Sequence, residues 1–465
     1  MPCQCSLSDV ILSFCIIVLF LGGCSTSGID TAVNDGDSQP ESAAAAPSAE
    51  PVEPVDSSTL PNDLVRPADL TYMGAFRLPD GSGGSNWEYS GYAMTYYPDG
   101  DPTGPEDGHP GSLFAVGHDH HQMVSEISIP VPKVSKNKSL DELNTAATLQ
   151  EFHDIRGGQF GELEIPRAGL EYLPLQGSQT TGKLYYCWGQ HFQDQQDPSH
   201  GWSELDLSAP KPAGPWRIAN LTNYVTNDYL FEIPEAWASV YTPGLRLATG
   251  RFRDGGWGGL GPALLACGPW TEGNPPAPNA MLKNVKPLLM YGVPVDGVPE
   301  LEVDPEHAVR GYRESDEWSG GAWLTAADKS AVVFVGTKGV GKCWYGFSNG
   351  VVYPTSGDAS ERIPDVPDWP HDQRGWWSER IEAQILFFNP QDLADVVRGK
   401  KETWAPQPYA TLSIDSYLFD PGYDYERGKM NVLGAAAFDR ERGVLYVMER
   451  QADEEKSLVH AFAVR

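Results

Sequence analysis

Three of the ten histidines of this chain stand within four residues, in the segment GHDHHQ (117–122). Alternate side chains of an extended segment point to the same side, so His118 and His120 can approach one ligand together. With His191 as a third nitrogen, they would match the ligand count of an open catalytic zinc site. The same imidazoles beside Asp119 would instead suit general acid–base catalysis. We therefore predict His118, His120, His191 and Asp119 as catalytic residues, and the three histidines as candidate metal ligands.

Zinc and calcium are the two candidate cofactors, and the residue pattern requires neither of them. A polar turn without zinc is favoured over a zinc site at 117–122, because no zinc signature of fixed spacing is present. The loop YPDGDPTGPEDG (97–108) offers carboxylates to calcium. It lacks the ligand spacing and the closing glutamate of an EF-hand, so a solvated acidic turn is favoured there.

Aromatic and basic side chains point to a carbohydrate ligand. The chain contains 14 Trp and 20 Tyr, and the basic segment GRFRDGG (250–256) stands out in an acidic sequence. Aromatic rings bind sugar faces, and the arginine fork binds carboxylates. The predicted ligand-binding residues are Trp87, Tyr89, Tyr241, Arg251, Trp270, Trp318, Lys338 and Arg450.

Whether the chain is an enzyme stays open. Imidazoles beside Asp119, with a tyrosine and an arginine nearby, would suit a polysaccharide lyase that abstracts a proton next to a uronate carboxyl. A pair of carboxylates would suit a glycoside hydrolase. The candidate carboxylates are Glu88, Asp119, Glu162 and Glu317.

The elements that must position these residues are short apolar runs that recur along the chain. Five runs end in a small or polar residue: SLFAVGHD (112–119), KLYYCWGQ (183–190), PALLACGP (262–269), AVVFVGTK (331–338) and VLYVMERQ (444–451). A short segment with small residues precedes each run, and a third apolar run often follows. Consecutive β-meanders predict an all-β fold, a β-propeller of five to seven blades. Two packed β-sandwich domains are the alternative.

The predicted propeller places the candidate residues on one face. Loops that follow the second strands and loops that enter the first strands open on the same side, around the central channel. The segment DLTYMGAFRLP (69–79) is predicted to complete the last blade beside LVHAFAV (458–464), which removes an exposed sheet edge. Helices are predicted only at 139–152 and 390–399.

The N-terminal 66 residues have a composition unlike the remainder. Residues 1–23 contain an apolar run of signal-peptide length, and LGGC (21–24) resembles the lipobox of bacterial lipoproteins. This resemblance makes Cys24 the lipidated N-terminus of the mature protein, anchored to a membrane. Residues 24–66 are rich in Ala, Pro, Ser and acidic residues, which predicts a disordered tether. Residues 67–465 form the predicted propeller domain.

Charge and cysteine content exclude several classes of protein. The net charge of −30 makes nucleic acid an unsuitable partner, and it disfavours polyanionic glycans unless a local basic pocket exists. Of the seven cysteines, three belong to the folded part: Cys187, Cys267 and Cys343. A disulfide scaffold is therefore excluded, and buried single thiols are expected.

Several blocks together resemble an uncharacterised family of exported bacterial proteins: AFRLP (75–79), GHDHHQ (117–122), VVFVGTKG (332–339) and RGVLYV (442–447). The resemblance implies an exported single module and carries no established activity. We predict a lipid-anchored protein of the cell envelope, in the outer membrane if the cell is Gram-negative. Its propeller is expected to bind, and as an enzyme to cleave, a carbohydrate polymer. A non-catalytic scaffold that binds another envelope protein is the alternative.

Overall fold

Five antiparallel blades surround one axis in the computed structural model, so the chain is an all-β propeller. The structure describes residues 60–161, 163, 166–189, 197–221, 225–252, 259–295, 301–354 and 362–465. The alternative of two packed sandwiches does not apply. The strands are numbered β1 to β23 along the chain, and each blade begins at the axis.

The first three blades follow one another along the chain. Blade 1 contains β2 (Met94–Tyr97), β3 (Ser112–Val116), β4 (Val124–Ser128) and β5 (Thr148–His153). Blade 2 contains β6 (Arg167–Leu173), β7 (Lys183–Gly189), β8 (His200–Ser203), β9 (Ala213–Ile218) and the parallel β13 (Met281–Leu282). Blade 3 contains β10 (Tyr229–Glu232), β11 (Leu247–Gly250), β12 (Leu264–Cys267) and β14 (Lys286–Leu289).

The last two blades contain the longest strands. Blade 4 contains β17 (Glu317–Ala326), β18 (Lys329–Phe347), β19 (Arg374–Phe388) and β20 (Ala410–Ser413). Blade 5 contains β21 (Leu433–Asp439), β22 (Val444–Asp453), β23 (Lys456–Val464) and β1 (Leu70–Arg77). A small pair is formed by β15 (Val293–Pro294) and β16 (Leu301–Glu302). The described helices are α1 (Gly104–Asp107), α2 (Glu235–Tyr241) and α3 (Pro390–Val397), with 3-10 turns at Pro67–Asp69, Leu140–Glu142, Pro269–Thr271, Pro305–His307 and Asp415–Tyr417.

The inner strands close a ring around the axis. β2 contacts β6, β6 contacts β10, β10 contacts β17, β17 contacts β21, and β21 returns to β2. Small residues at or next to the start of four of these strands, all except β10, make the close approach feasible, as the sequence predicts. A Cβ atom added at Gly320 would lie 2.5 Å from the carbonyl oxygen of Gly434, which belongs to the next blade.

Apolar side chains fill each gap between neighbouring blades. Separate hydrophobic clusters lie between blades 1 and 2, 2 and 3, 3 and 4, 4 and 5, and 5 and 1. Trp216, Trp323 and Tyr446, for example, are each buried in a different cluster. Burial of this apolar surface holds the ring together, while the polar ends of the strands stay at the two faces.

The prediction that DLTYMGAFRLP closes the last blade is confirmed. β1 pairs antiparallel with β23, from Leu70 opposite Val464 to Arg77 opposite Leu458, with an irregularity between Tyr72 and Gly74. The chain therefore joins its first strand to its last blade, which leaves β23 without an exposed edge.

Two local predictions need correction, and a third is confirmed. In blade 3 the first strand is β10, whereas GLRLATG (244–250) contains the second strand and PALLACGP (262–269) the third. β10 begins with the large residue Tyr229, so the small-residue pattern of the other blades is missing there. The Tyr229 hydroxyl donates to the carbonyl of Arg251. The segment 139–152 forms a short 3-10 turn and part of β5, not a helix. The helix expected at 390–399 is α3.

The folded part begins before the predicted boundary at residue 67. Leu64 and Val65 are buried against blade 4, where the Val65 nitrogen donates to the Ser330 carbonyl at 3.2 Å. Cys24 and residues 24–59 of the predicted tether lie outside the described residues. Within the described ranges, no helix has the length and hydropathy needed to cross a membrane. Cys187, Cys267 and Cys343 are free thiols, the first two buried, as expected.

Candidate functional site

One end of the axis collects polar side chains from all five blades. This is the end at which the inner strands begin and the second strands finish, because neighbouring strands of a blade are antiparallel. We call this cluster the axial mouth and define it as Tyr92, Arg167, Asp228, Arg251, Glu317, Asn431 and Arg450. Five members precede or open an inner strand, one in each blade. Of the other two, Arg251 directly follows the second strand β11, and Arg450 lies in the second strand β22.

An ion pair crosses the axis at this mouth. Arg167 Nη2 of blade 2 lies 3.1 Å from Glu317 Oε2 of blade 4, although these blades are not neighbours in the ring. Asn431 Nδ2 donates to the same oxygen at 2.8 Å, and Ser319 Oγ donates to the other at 3.0 Å. The side chains of Arg167 and Glu317 are only 11% and 9% exposed. These charge-assisted hydrogen bonds hold the Glu317 carboxylate in one orientation.

Tyr92 lies between two guanidinium groups. The Arg450 guanidinium carbon is 4.2 Å from the Tyr92 ring centroid, and Arg450 Nη2 donates to the Tyr92 hydroxyl at 2.6 Å. The Arg167 guanidinium is 4.9 Å from the same centroid. Cations over an aromatic ring are attracted by its quadrupole, so Tyr92 helps to place both arginines.

Asp228 is the buried acid of the mouth. Its Oδ2 accepts a hydrogen bond from the Phe252 nitrogen at 2.9 Å and lies 3.7 Å from Arg251 Nε. Burial raises the pKa of Asp228 to about 6, and the nearby Arg251 and Arg167 charges only partly offset this effect. The nearby Glu317 charge also raises this pKa. Asp228 therefore exchanges a proton close to neutral pH, as a catalytic acid or base must.

The charge of the mouth differs in sign from that of the whole chain. Three arginines face two carboxylates there, while the chain has a net charge of −30. When Asp228 carries its proton, only Glu317 remains negative. An anionic group that approaches the mouth therefore meets a local excess of positive charge.

The GHDHHQ segment is a tight turn between β3 and β4, at the rim of blade 1. The nitrogens of His121 and Gln122 both donate to the His118 carbonyl at 3.0 Å, and the Gln122 side chain accepts from Trp188 Nε1. Gly117 is required at the start of this turn, because an added Cβ would lie 2.4 Å from the Phe152 ring. The turn is therefore built mainly from backbone hydrogen bonds.

The ring of His118 is partly buried and accepts a hydrogen bond within the turn. Its Nδ1 accepts from the His120 nitrogen at 3.1 Å, so the 3.2 Å approach to Asp119 is not an ion pair of a protonated ring. Burial lowers the pKa of His118. Its ring also contacts His121 in a stacked arrangement at 4.6 Å and Tyr89 edge-on at 5.5 Å.

The histidines of this turn are not part of the axial mouth. The ring contacts described for His118 are with Tyr89, His120 and His121, and His191 lies outside the described residues. In the ranges that the structure describes, no group of three or more His, Cys, Asp or Glu side chains is arranged to hold a metal ion. The catalytic roles and the metal hypotheses for His118, Asp119, His120 and His191 stay predictions.

The eight predicted ligand-binding residues do not form one site but lie at several positions on the propeller. Arg251 and Arg450 belong to the axial mouth. Lys338 and Trp318 line a cleft beside blade 4. Tyr89 lies beside the histidine turn, while Trp87 is buried against Phe152 with a ring distance of 4.7 Å.

Tyr241 and Trp270 lie on the opposite face of the propeller. Trp270 follows β12, a third strand that runs parallel to β10, and it packs edge-on against Tyr185 at 5.5 Å. Tyr241 ends α2, which connects the far end of β10 to β11, and Arg398 lies over its ring at 4.5 Å. Their predicted position on the rim of the mouth is therefore corrected.

Sequence reasoning missed Tyr92, Asp228 and Asn431 as site residues. All three lie one or two residues before an inner strand, so the signal was the short segment that enters each first strand of a blade. Asp228 was hidden because β10 was not recognised as a strand. Arg167 and Glu317, which open β6 and β17, were recognisable from the correctly aligned blades.

A second polar cluster closes the opposite end of the axis. Arg440 Nε of blade 5 lies 3.0 Å from Glu232 Oε2 of blade 3, and the Glu232 nitrogen donates to Glu171 of blade 2 at 2.9 Å. Burial, followed by the Glu232 charge, raises the pKa of Glu171 to about 8. Arg440 and Arg167 are thus comparable arginines, each paired with a glutamate at one end of the same axis.

No protein-family model and no curated protein sequence matches this chain. The resemblance to exported bacterial proteins therefore stays a prediction. The geometry of the axial mouth is the basis for the function proposed below.

Proposed function

We propose that the axial mouth binds a carbohydrate polymer. The observation that carries this proposal is the set of Tyr92, Arg167 and Arg450, which brings one aromatic ring and two guanidinium groups from three blades together at one end of the axis. Aromatic rings contact sugar faces, and guanidinium groups donate to hydroxyl and carboxylate oxygens. Glu317 and Asn431 add an acceptor and an amide beside them.

We further propose that the propeller acts in the cell envelope, anchored by a lipid on Cys24. The support for this proposal is the apolar run before Cys24 and the LGGC sequence that ends it. A propeller held by a tether on a membrane surface would meet polymers outside the cytoplasm.

Hydrolysis of the bound glycan is a second candidate function, favoured by the different environments of Asp228 and Glu317. Asp228 exchanges its proton near pH 6, whereas Glu317 accepts hydrogen bonds from Arg167, Asn431 and Ser319. Two carboxyl groups with separate environments can serve as proton donor and as base or nucleophile in glycoside hydrolysis. In this scheme Asp228 would donate its proton to the oxygen of the leaving group. Glu317 would attack the anomeric carbon as nucleophile, or as base take a proton from the water that attacks it.

Glycan-array screening of the purified propeller tests the binding proposal. We expect Arg167→Met to lower the affinity for the best glycan at least about tenfold, because a charge-assisted contact is lost. Arg440→Met is the matched control, since it removes an arginine of similar setting from the opposite face. Equal affinity of wild type and Arg167→Met would contradict binding at the axial mouth.

Product analysis separates the chemical alternatives. Hydrolysis predicts a new reducing end without a double bond, and a loss of turnover in both Asp228→Asn and Glu317→Gln. A product with an unsaturated sugar, formed normally by both variants but not by His118→Ala, would instead support a lyase at the histidine turn.

The scaffold alternative has one structural observation in its favour. Large hydrophobic side chains are exposed in the connection between β18 and β19, namely Val352, Ile363, Val366 and Trp369. Exposed apolar surface of this kind often binds a protein partner. Cross-linking in intact cells that captured one envelope protein through this connection, with no glycan bound in the array, would favour the scaffold.

A further inference from the structure

A cleft of about 350 Å³ lies beside blade 4, separate from the axial mouth. One wall comes from the segment before β17, with Arg310 and Arg313, and the other from β18 and β19, with Lys338 and Arg380. The buried ring of Trp318 forms part of its lining. This volume lies at the lower end of the range found for small-molecule sites.

The lining of this cleft is basic in a strongly acidic protein. It contains four cationic side chains, those of Arg310, Arg313, Lys338 and Arg380, and two carboxylates, those of Asp316 and Glu382. The chain as a whole has a net charge of −30. The cleft is therefore a local positive region of the kind that a polyanionic glycan would need.

Both carboxylates of the cleft already accept hydrogen bonds from the protein. Asp316 Oδ1 lies 2.8 Å from Lys338 Nζ and accepts from the Gly339 nitrogen at 2.9 Å, and its other oxygen accepts from the Arg313 nitrogen at 3.0 Å. Its side chain is only 1% exposed. Glu382 pairs with Arg380 and accepts from Gln384 at 3.0 Å. The carboxylates thus orient the lining, while the exposed Arg310 and Arg380 present charge to solvent.

The cleft and the axial mouth meet at the start of β17. Asp316 and Trp318 line the cleft, whereas Glu317 between them belongs to the mouth. Successive side chains of an extended segment point to opposite sides, so one strand separates the two sites. The two sites are therefore adjacent along the chain.

We propose that this cleft is a subsite for anionic sugars, so that the glycan bound by the propeller carries carboxylate or sulfate groups. This inference rests on the proposed function, because it assigns the substrate class of the glycan at the axial mouth. Arg310 and Arg380 contact the anionic group, Lys338 and Arg313 supply further positive potential, and Trp318 packs behind them.

Calorimetric titration with three pentasaccharides tests the subsite: oligogalacturonate for carboxylate, a sulfated galactan fragment for sulfate, and cellopentaose as the neutral probe. We expect the wild type to bind one acidic probe more tightly than the neutral one. The double variant Arg310→Glu/Arg380→Glu should bind that acidic probe at least about tenfold more weakly, with unchanged affinity for the neutral probe. Arg362→Glu is the matched control, because its side chain is 87% exposed and lies outside the cleft lining.

The outcomes separate this inference from the proposed function. Equal acidic-probe affinity in the double variant and the wild type would overturn the subsite, as would a wild type that binds neither acidic probe. Binding of only the neutral probe, abolished by Arg167→Met, would leave the axial mouth intact and refute the subsite. Acidic binding that the double variant loses but Arg167→Met retains would support the cleft and refute the mouth. Melting temperatures of all variants show that each is folded.

Discussion

At the level of single residues, Arg167 connects four blades at the axial mouth. It pairs with Glu317 of blade 4, and it lies 4.9 Å from the rings of Tyr92 of blade 1 and Phe252 of blade 3. The Arg167 side chain, which we propose binds the glycan, thus also holds neighbouring and opposite blades of the propeller together. Its position at the start of β6 follows from the blade repeat, but its partners belong to blades far apart in sequence. Local patterns contain no information about such pairings.

The raised pKa of Asp228 predicts a specific pH dependence of stability. The carboxyl has an ordinary pKa of 3.8 and a folded-state pKa of about 6, so its stabilising contribution is complete below pH 3.8 and is lost as the pH rises through 6. Asp228→Asn removes this titration. The unfolding free energy of the variant relative to wild type should therefore increase by up to about 3 kcal/mol between pH 4 and pH 7.

Urea denaturation of both proteins across this pH range provides the measurement. Asp365→Asn serves as the control, because the Asp365 side chain is 96% exposed and its substitution should give a difference independent of pH. A pH-independent difference for Asp228→Asn as well would show that Asp228 is not a buried acid.

The histidine turn gives a second prediction for single residues. Backbone hydrogen bonds at the His118 carbonyl build the turn, and His120 is exposed. His118→Ala and His120→Ala should therefore each change stability by less than about 1 kcal/mol, measured by thermal unfolding. Unfolding of either variant would show that its ring has an essential structural role. Stoichiometric zinc in the wild type that is lost in the double variant would establish the metal site.

At the level of elements, β1 closes the propeller. Phe76 is fully buried between blades 5 and 1, and β1 covers the outer edge of β23. A chain that starts at Asp80 should therefore melt more than about 10 °C below one that starts at Leu60, or aggregate through the exposed edge. Phe76→Ala, a milder change, should cost about 3–5 kcal/mol. Identical melting temperatures for the two chains would exclude closure by β1.

The sequence patterns predicted the strands better than they predicted the residues of the axial mouth. The apolar runs at β3, β7, β18 and β22 were recognisable as second strands, because each ends in a small or polar residue at the rim. Blade 3 was misaligned because β10 lacks the small residues that mark other inner strands. That single error placed Trp270 on the wrong face and concealed Asp228. Strand periodicity is local, whereas the position of a blade around the axis is not.

At the level of the whole molecule, the net charge influences which ligands the protein can bind. The net charge of −30 repels polyanions in general, so we expect an acidic glycan to bind where positive charge is concentrated, as at the basic cleft and the axial mouth. Their affinity should fall as salt is added, because screening weakens attraction between opposite charges.

Membrane attachment depends on Cys24 in this account. Cys24→Ser should release the protein from the membrane fraction and abolish incorporation of radiolabelled fatty acid. The folded propeller should be unaffected, as judged by the melting temperature of the released protein. Continued lipid labelling of the variant would assign the anchor to another residue.

The position of a bound glycan distinguishes the axial mouth from the other candidate sites. The measurement is a crystal structure of the wild-type propeller with the tightest-binding oligosaccharide from the array. We predict a sugar ring in contact with Tyr92, with oxygens within hydrogen-bonding distance of Arg167 and Arg450. A glycan bound at the His118 turn or on the face of Trp270, with the axial mouth empty, would contradict the account.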